Sequence, residues 1–201
     1  MLTSNVRAGA YFEEKTKQQE LTGRNDDLVY YGKRGMAFEN LLNYTNEIYI
    51  QQERAIINKR PTPMKIIGKT RGNQHICVFD RKSTVDFDGI YRGKPIVFEA
   101  KSTKEKRLPL SIISEHQIEY LNAAEKQGAV AFLICEIRAI DTVFYVSNGL
   151  LQKYVKDAQK GGRKSIPLRD LEVYAYEVKS QNGVPLDYLS VVDQFLEKET
   201  A

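Results

Sequence analysis

A mixed α/β domain, its sheet covered by helices and one β-hairpin projecting from it, is the fold class this sequence predicts. Three observations carry it. Residues 84–101 alternate polar and apolar side chains with period two on either side of a glycine-bearing turn, the pattern of an antiparallel hairpin with one buried face. Residues 129–137 form a continuous apolar run, the mark of a strand buried on both faces. Around these lie segments of helical periodicity at 35–52, 114–126, 150–158 and from 187 onward. At 201 residues the chain has the length of one domain with a full core.

The elements follow in order. Residues 1–28 are polar, charged and aperiodic, and are read as a flexible arm that orders on a partner, ahead of a single domain over 29–201. The first helix places Phe38, Leu41, Leu42, Thr45, Ile48 and Tyr49 on one side. Lys33 and Arg34 before it either contact phosphate or are simply solvated. Glu39 is either a first-turn acid suited to the helix dipole or a further acid near a metal site. The prolines of Arg60-Pro61-Thr62-Pro63 impose an extended path. Two strands are predicted at 64–67 and 76–79, joined around 68–73 into a cationic hairpin that leaves the body of the domain.

After the hairpin at 84–101, Ser114 and Gln117 form a capping box that opens a helix closed by Gly128, with Ile118 and Leu121 on its buried side. Gln117 is thus either a capping residue alone or an amide that the cap also aims at a site. Residues 142–146 are the expected neighbour of the apolar strand. The helix at 150–158 stops at Gly161-Gly162. Arg163-Lys164-Ser165 is then either a phosphate-binding loop or a solvated one. A strand is predicted at 173–178. Asp187 caps a closing helix that carries Tyr188, Val191, Val192, Phe195 and Leu196.

The chemistry concentrates in the 84–101 hairpin. A two-residue Arg92-Gly93 loop pairs Tyr91 with Lys94, which sets Asp86 opposite Glu99, Thr84 opposite Lys101 and Asp88 opposite Val97. Directly opposed carboxylates repel unless a cation lies between them. Hard oxygen ligands without histidine or cysteine favour Mg²⁺ or Mn²⁺ over zinc. Lys101 then serves as a point charge for an anionic substrate or transition state. The alternative is a solvent-exposed polar face on which Glu99 pairs with Lys101 along the strand.

Composition narrows the function classes. No apolar run approaches the ~18 residues of a membrane span, and the first residues do not resemble a signal peptide. Cys77 and Cys135 lack metal-ligand spacing and read as reduced thiols of a cytoplasmic protein; His75 and His116 are too few and too far apart for a histidine metal site. The net charge is only +4, but it is unevenly spread. Between 65 and 82, Lys65, Lys69, Arg71, Arg81 and Lys82 face one acid, Asp80; between 101 and 107, Lys101, Lys104, Lys106 and Arg107 face Glu105. Cations on both flanks of an acidic hairpin are the footprint expected of a nuclease, in which they hold phosphates while the acids hold metal. Each segment singly also reads as a solvated basic loop.

Arg34-Gly35-Met36 with Glu39, Arg60-Pro61-Thr62-Pro63, Phe98-Glu99-Ala100-Lys101, His116-Gln117, the run 161–167 and the run 187–193 together resemble RecU, the Holliday-junction resolvases of Gram-positive bacteria and some of their phages. The resemblance runs from about Tyr30 to the C-terminus. It implies a restriction-endonuclease-like fold, a homodimer, dependence on Mg²⁺ with Mn²⁺ as a substitute, and a stalk over about 65–81. It further implies metal-site roles for Thr84, Asp86, Glu99 and Gln117, with Lys101 stabilising the transition state. Asp86, Glu99 and Lys101 are then the catalytic residues, with Glu39 and Asp88 as accessory acids. The DNA-binding cations are Arg34, Lys65, Lys69, Arg71, Arg81, Lys82, Lys104, Arg163 and Lys164.

The implied activity is Mg²⁺-dependent resolution of four-way DNA junctions by paired symmetrical nicks in recombination and repair, alongside recombinase or branch-migration proteins. Asp88 stands where the family pattern has asparagine, the stalk segment is shorter, and the N-terminal arm lies outside the resemblance. Two other functions fit the same residues: a nuclease with this core acting on other DNA structures, and a non-catalytic DNA-binding or recombination-regulating protein.

Overall fold

The computed structural model describes residues 38–70, 72, 74–80 and 84–200, with side chains described as far as residue 196. The expected N-terminal arm, Lys33 and Arg34, and the cations Arg71, Arg81 and Lys82 lie outside the described residues.

A six-stranded sheet forms the centre, in the order β1 (Ile56–Lys59), β4 (Phe87–Tyr91), β5 (Lys94–Thr103), β7 (Val130–Ile137), β8 (Thr142–Ser147) and β10 (Tyr176–Glu177). β5 and β7 run parallel, Ile96 beside Val130 through to Thr103 beside Ile137, and the other neighbours are antiparallel. A parallel pair needs a crossover, and here it includes α2 (Glu115–Lys126). That connection brings the start of α2 to the face of β5 that carries Glu99.

Helices cover both faces. On one, α1 (Phe38–Gln51) and α5 (Tyr188–Thr200) bury Leu42, Tyr49, Tyr188, Leu189 and Val192 against Ile57, Phe87, Ile96 and Phe98. On the other, α2, α3 (Asn148–Gln159) and α4 (Leu168–Tyr174) bury Leu121, Leu151, Tyr154 and Leu171 against Val97, Leu133, Cys135 and Val146. The period-two alternation of 94–101 is thereby explained: Ile96, Phe98 and Ala100 enter the first core, Val97 the second. A row of rings crosses the first face, Phe87 on Phe98 at 4.7 Å, Phe98 on Phe132 at 5.0 Å and Phe132 on Tyr145 at 4.4 Å between centroids.

The β4–β5 hairpin has the expected register, Tyr91 with Lys94 and Asp88 with Val97. Arg92 and Gly93 take φ of 48° and 74°, the left-handed pair that a two-residue type I′ turn requires. The ladder nevertheless starts only at Phe87 beside Phe98, so Thr84 does not sit opposite Lys101 as expected. The cause is local: the Ala100 N–H donates to the Asp86 carboxylate at 3.0 Å instead of to a backbone carbonyl. Gly89 has a packing role. A Cβ there would lie 2.1 Å from the Ile56 carbonyl oxygen and 2.6 Å from the Ile57 Cα, so β1 and β4 have to separate to admit one. Gly89→Ala is expected to cost about 1–3 kcal/mol in urea unfolding; unchanged stability would contradict this close approach.

Two expectations need correction. Residues 173–178 are not one strand. α4 runs to Tyr174 and only Tyr176 and Glu177 pair with β8, because Leu168, Leu171 and Ala175 supply a helical set of core contacts while Val173 and Tyr174 face outward. Residues 107 and 165, each expected in a loop, begin short strands: β6 (Arg107–Pro109) and β9 (Ser165–Pro167) pair with each other and bury Leu108 and Ile166. The stalk is a separate two-stranded sheet, β2 (Met64–Lys69) with β3 (His75–Phe79), bulged between Ile66 and Gly68. Its apolar side chains Met64, Ile66, Ile67, Ile76, Val78 and Phe79 are all exposed.

Candidate active site

Asp86 and Glu99 are cross-braced. The Asp86 N–H donates to Glu99 Oε2 at 3.1 Å, and the Ala100 N–H donates to Asp86 Oδ2 at 3.0 Å. Each carboxylate is therefore fixed by backbone belonging to the other's segment, which positions both without a long side-chain lever. Lys101 Nζ lies 2.6 Å from Glu99 Oε1, and Gln117 Nε2 donates to the same oxygen. Thr84 Oγ1 accepts from Arg60 Nη1. The structure thus gathers Asp86, Glu99, Lys101 and Gln117, with Thr84 in the bend beside Asp86.

Glu99 is 1% exposed. Its burial first, and the neighbouring Asp86 carboxylate second, push its pKa up to about 7, while Lys101 pulls the other way. Two acids held close, one of them resisting ionisation, form an oxygen-rich site that a divalent cation would relieve. Hard carboxylate oxygens suit Mg²⁺ or Mn²⁺. Asp86 and Glu99 are the residues that fit such an ion directly. Gln117 keeps both of its roles: its Oε1 accepts the Ser114 N–H at 2.9 Å to complete the capping box, and its Nε2 reaches Glu99.

Each of the accessory acids has an ion-pair partner of its own. Glu39 forms an ion pair with Lys59 on the exposed start of α1. Asp88 is 3.0 Å from Arg60 Nε. Arg60 itself, at the end of β1, was given no role by the sequence. The signal was available in retrospect, since three acids on one sheet face call for a nearby cation.

The cations expected to bind DNA that lie among the described residues occupy two regions. Lys65 and Lys69 stand exposed on β2 of the stalk. Lys104 lies exposed between β5 and β6, and Arg163 and Lys164 lie exposed just before β9. The β6–β9 pairing joins these last two segments, with the Leu110 N–H donating to the Lys164 carbonyl at 3.1 Å and the Leu168 N–H to the Lys106 carbonyl at 3.2 Å. Because that ladder is antiparallel, Lys104 and Arg163 extend from its opposite ends.

A family model described as Recombination protein U (RecU) matches residues 33–194. The Holliday junction resolvase RecU of Geobacillus sp. (strain WCH70) is 37% identical over 170 residues, which cover 82% of this chain and 85% of that one. The protein of the same name from Bacillus subtilis (strain 168) is 36% identical over 170 residues, 82% of either chain. The one from Lactococcus lactis subsp. lactis (strain IL1403) is 32% identical over 208 residues, covering 96% and 97%. Among solved structures, Archaeoglobus fulgidus Hjc, a Holliday junction resolvase from an archaeal hyperthermophile, aligns over 68% of this chain and 94% of that one. The TM-score is 0.41 and the sequence identity 12%.

Proposed function

Since the chain belongs to the RecU family, we propose that it is a structure-specific endonuclease that resolves four-way DNA junctions by paired, symmetrical nicks in recombination and repair. One observation carries the reading: the Asp86 and Glu99 carboxylates are cross-braced through each other's backbone, with the Lys101 ammonium 2.6 Å from Glu99. The six-stranded mixed sheet with helices on both faces agrees with the restriction-endonuclease-like core that membership implies.

In this reading Asp86 and Glu99 hold Mg²⁺, or Mn²⁺ in its place, with Thr84 and Gln117 at the rim of the site. The ion, when bound, lowers the pKa of a water and polarises the scissile phosphate. Lys101 orients the nucleophile and offsets charge that grows on the phosphate oxygens. Gln117 and the Asp86 N–H fix the Glu99 carboxylate, so no reorganisation is required when that charge develops. Among the described cations, Lys65 and Lys69 on the stalk and Lys104, Arg163 and Lys164 on the β6–β9 side grip phosphates; Arg34, Arg71, Arg81 and Lys82 complete the set.

A twofold homodimer presents two such sites to symmetry-related strands. No described helix is long and apolar enough to cross a membrane, and a junction-DNA substrate supports a cytoplasmic protein. There it acts beside recombinase or branch-migration proteins.

The test compares a mobile four-way junction with a linear duplex of the same sequence, at one salt concentration, with Mg²⁺ and with chelator. Symmetrical nicks in the junction alone, lost on chelation, are expected. Equal cutting of the duplex would make the protein a nuclease for other DNA structures. Junction binding without cutting would make it a non-catalytic binder, and nicking that survives chelation would overturn the metal assignment.

A further inference from the structure

Arg60 makes more separate contacts around the site than a single surface cation normally does. Its N–H donates to the Asp86 carbonyl at 2.7 Å. Its guanidinium donates through Nη1 to Thr84, lies 3.0 Å through Nε from Asp88 Oδ2, and sits 5.1 Å from the centre of the Tyr120 ring. One side chain therefore links three pieces of the fold: the bend that carries Thr84 and Asp86, strand β4, and helix α2 one turn beyond Gln117. The planar fork of arginine suits it to bond two acceptors and stack on a ring at once, which a lysine ammonium cannot do. Thr84 lies outside the β4–β5 ladder, so strand pairing with β5 does not hold it. Asp88 is 39% exposed at its side chain, and its described ion-pair partner is Arg60.

We propose that Arg60 is a positioning residue for the metal-binding bend at Thr84 and Asp86, and that Asp88 serves to hold Arg60 in place rather than to ligate metal. The inference rests on the reading of Asp86 and Glu99 as a divalent-cation site. Groups that orient metal ligands typically change metal affinity by about 10–100-fold when they are removed. Simple charge and positioning predict opposite signs here. Loss of a cation close to a divalent site tightens metal binding by charge alone, whereas loss of a positioning residue weakens it. For Asp88 the discriminating feature is dependence on Arg60.

The experiment measures Mn²⁺ binding to the DNA-free protein by the paramagnetic signal of free Mn²⁺, with thermal melting of each metal-free variant as a folding control. Arg60→Ala is expected to raise the Mn²⁺ Kd about tenfold or more, and Arg60→Lys to raise it severalfold although the charge is kept. Asp88→Ala should weaken binding in the wild-type background but add nothing to Arg60→Ala. Asp88→Asn, which keeps an acceptor oxygen for Arg60, should stay within about threefold of wild type. Tighter or unchanged Mn²⁺ binding in both Arg60 variants overturns the inference. So does an Asp88→Ala penalty that persists in full without Arg60, since that identifies Asp88 as a direct ligand. If Glu99→Gln binds Mn²⁺ as tightly as wild type, the metal-site reading itself falls, and the inference with it. Asp88→Asn and Arg60→Lys keep the test decisive if Arg60→Ala fails to fold.

Discussion

Glu99→Gln is expected to reduce junction cleavage in Mg²⁺ by on the order of 10³-fold or more, while junction affinity measured in Ca²⁺ stays within about twofold. The substitution keeps the shape of the side chain and one oxygen for Lys101 and Gln117; it removes the charge and replaces the oxygen that accepts from the Asp86 N–H with an amide nitrogen. The cations proposed to contact phosphate on the stalk and on the β6–β9 side are untouched, so binding should persist. Cleavage within tenfold of wild type would remove Glu99 from the catalytic set.

The same variant carries a pH signature. The pKa of Glu99 rises from an ordinary 4.5 to about 7, through burial first and Asp86 second. The native state therefore holds a proton that the unfolded chain has released, and this group makes metal-free stability fall as pH rises across that interval. At about 1.4 kcal/mol per unit, the effect is on the order of 3 kcal/mol. The difference in melting temperature between Glu99→Gln and wild type, both metal-free, should grow in favour of the variant from pH 4.5 to pH 8. Added Mg²⁺ should raise the melting point of wild type and leave the variant nearly unmoved. Parallel pH curves for the two proteins would contradict the buried, proton-holding Glu99.

Asp187→Ala is expected to cost about 3–5 kcal/mol in chemical denaturation, the range for breaking a buried, hydrogen-bonded charge pair. Asp187 directly precedes α5, where the sequence predicts a cap, and its buried carboxylate gathers side chains. Oδ1 accepts from Tyr49 at 2.9 Å and from Arg54 at 2.7 Å; Oδ2 accepts from Asn182 at 3.2 Å and from the Ser190 hydroxyl. Removing it leaves the Arg54 cation and the Tyr49 hydroxyl without their shared acceptor between α1 and α5.

Burial pushes the Asp187 carboxyl upward, yet the bonds from Ser190, Arg54 and Tyr49 outweigh it and hold the pKa below the ordinary 3.8. Its stabilisation is thus complete above 3.8 and is lost as pH falls through the lowered value. Asp187→Asn should fall between wild type and alanine. A loss under about 1 kcal/mol for alanine would mean that water replaces the carboxylate freely.

Much of the site was legible because its determinants are local. Gly93 after Arg92 fixes a two-residue turn and the alternation of 94–101 fixes which side chains share a face, and the ladder they set runs as far as Phe87 beside Phe98; beyond it Asp86 and Glu99 meet through side-chain-to-backbone bonds rather than as a ladder pair. Capping chemistry likewise located the start of α2, since Ser114 and Gln117 satisfy each other's backbone three residues apart. The stretches that misled had too little local signal. β6 and β9 are three residues each, too short for any period to register. Residues 173–178 include Val173 and Tyr174, whose apolar side chains are exposed, so apolar content there did not report burial.

The sequence by itself determined the hairpin register, the two carboxylates and lysine it displays, the capping box of α2, and the resemblance to a resolvase family. Tertiary structure decided which remote groups meet them. The β5–β7 crossover brings Gln117 onto Glu99, and the end of β1 brings Arg60 between Thr84, Asp88 and Tyr120. The physical reason is one of range. Turn and strand geometry act over a few residues, whereas a hydrogen bond between side chains far apart in sequence exists only after strand order and helix placement have closed the distance.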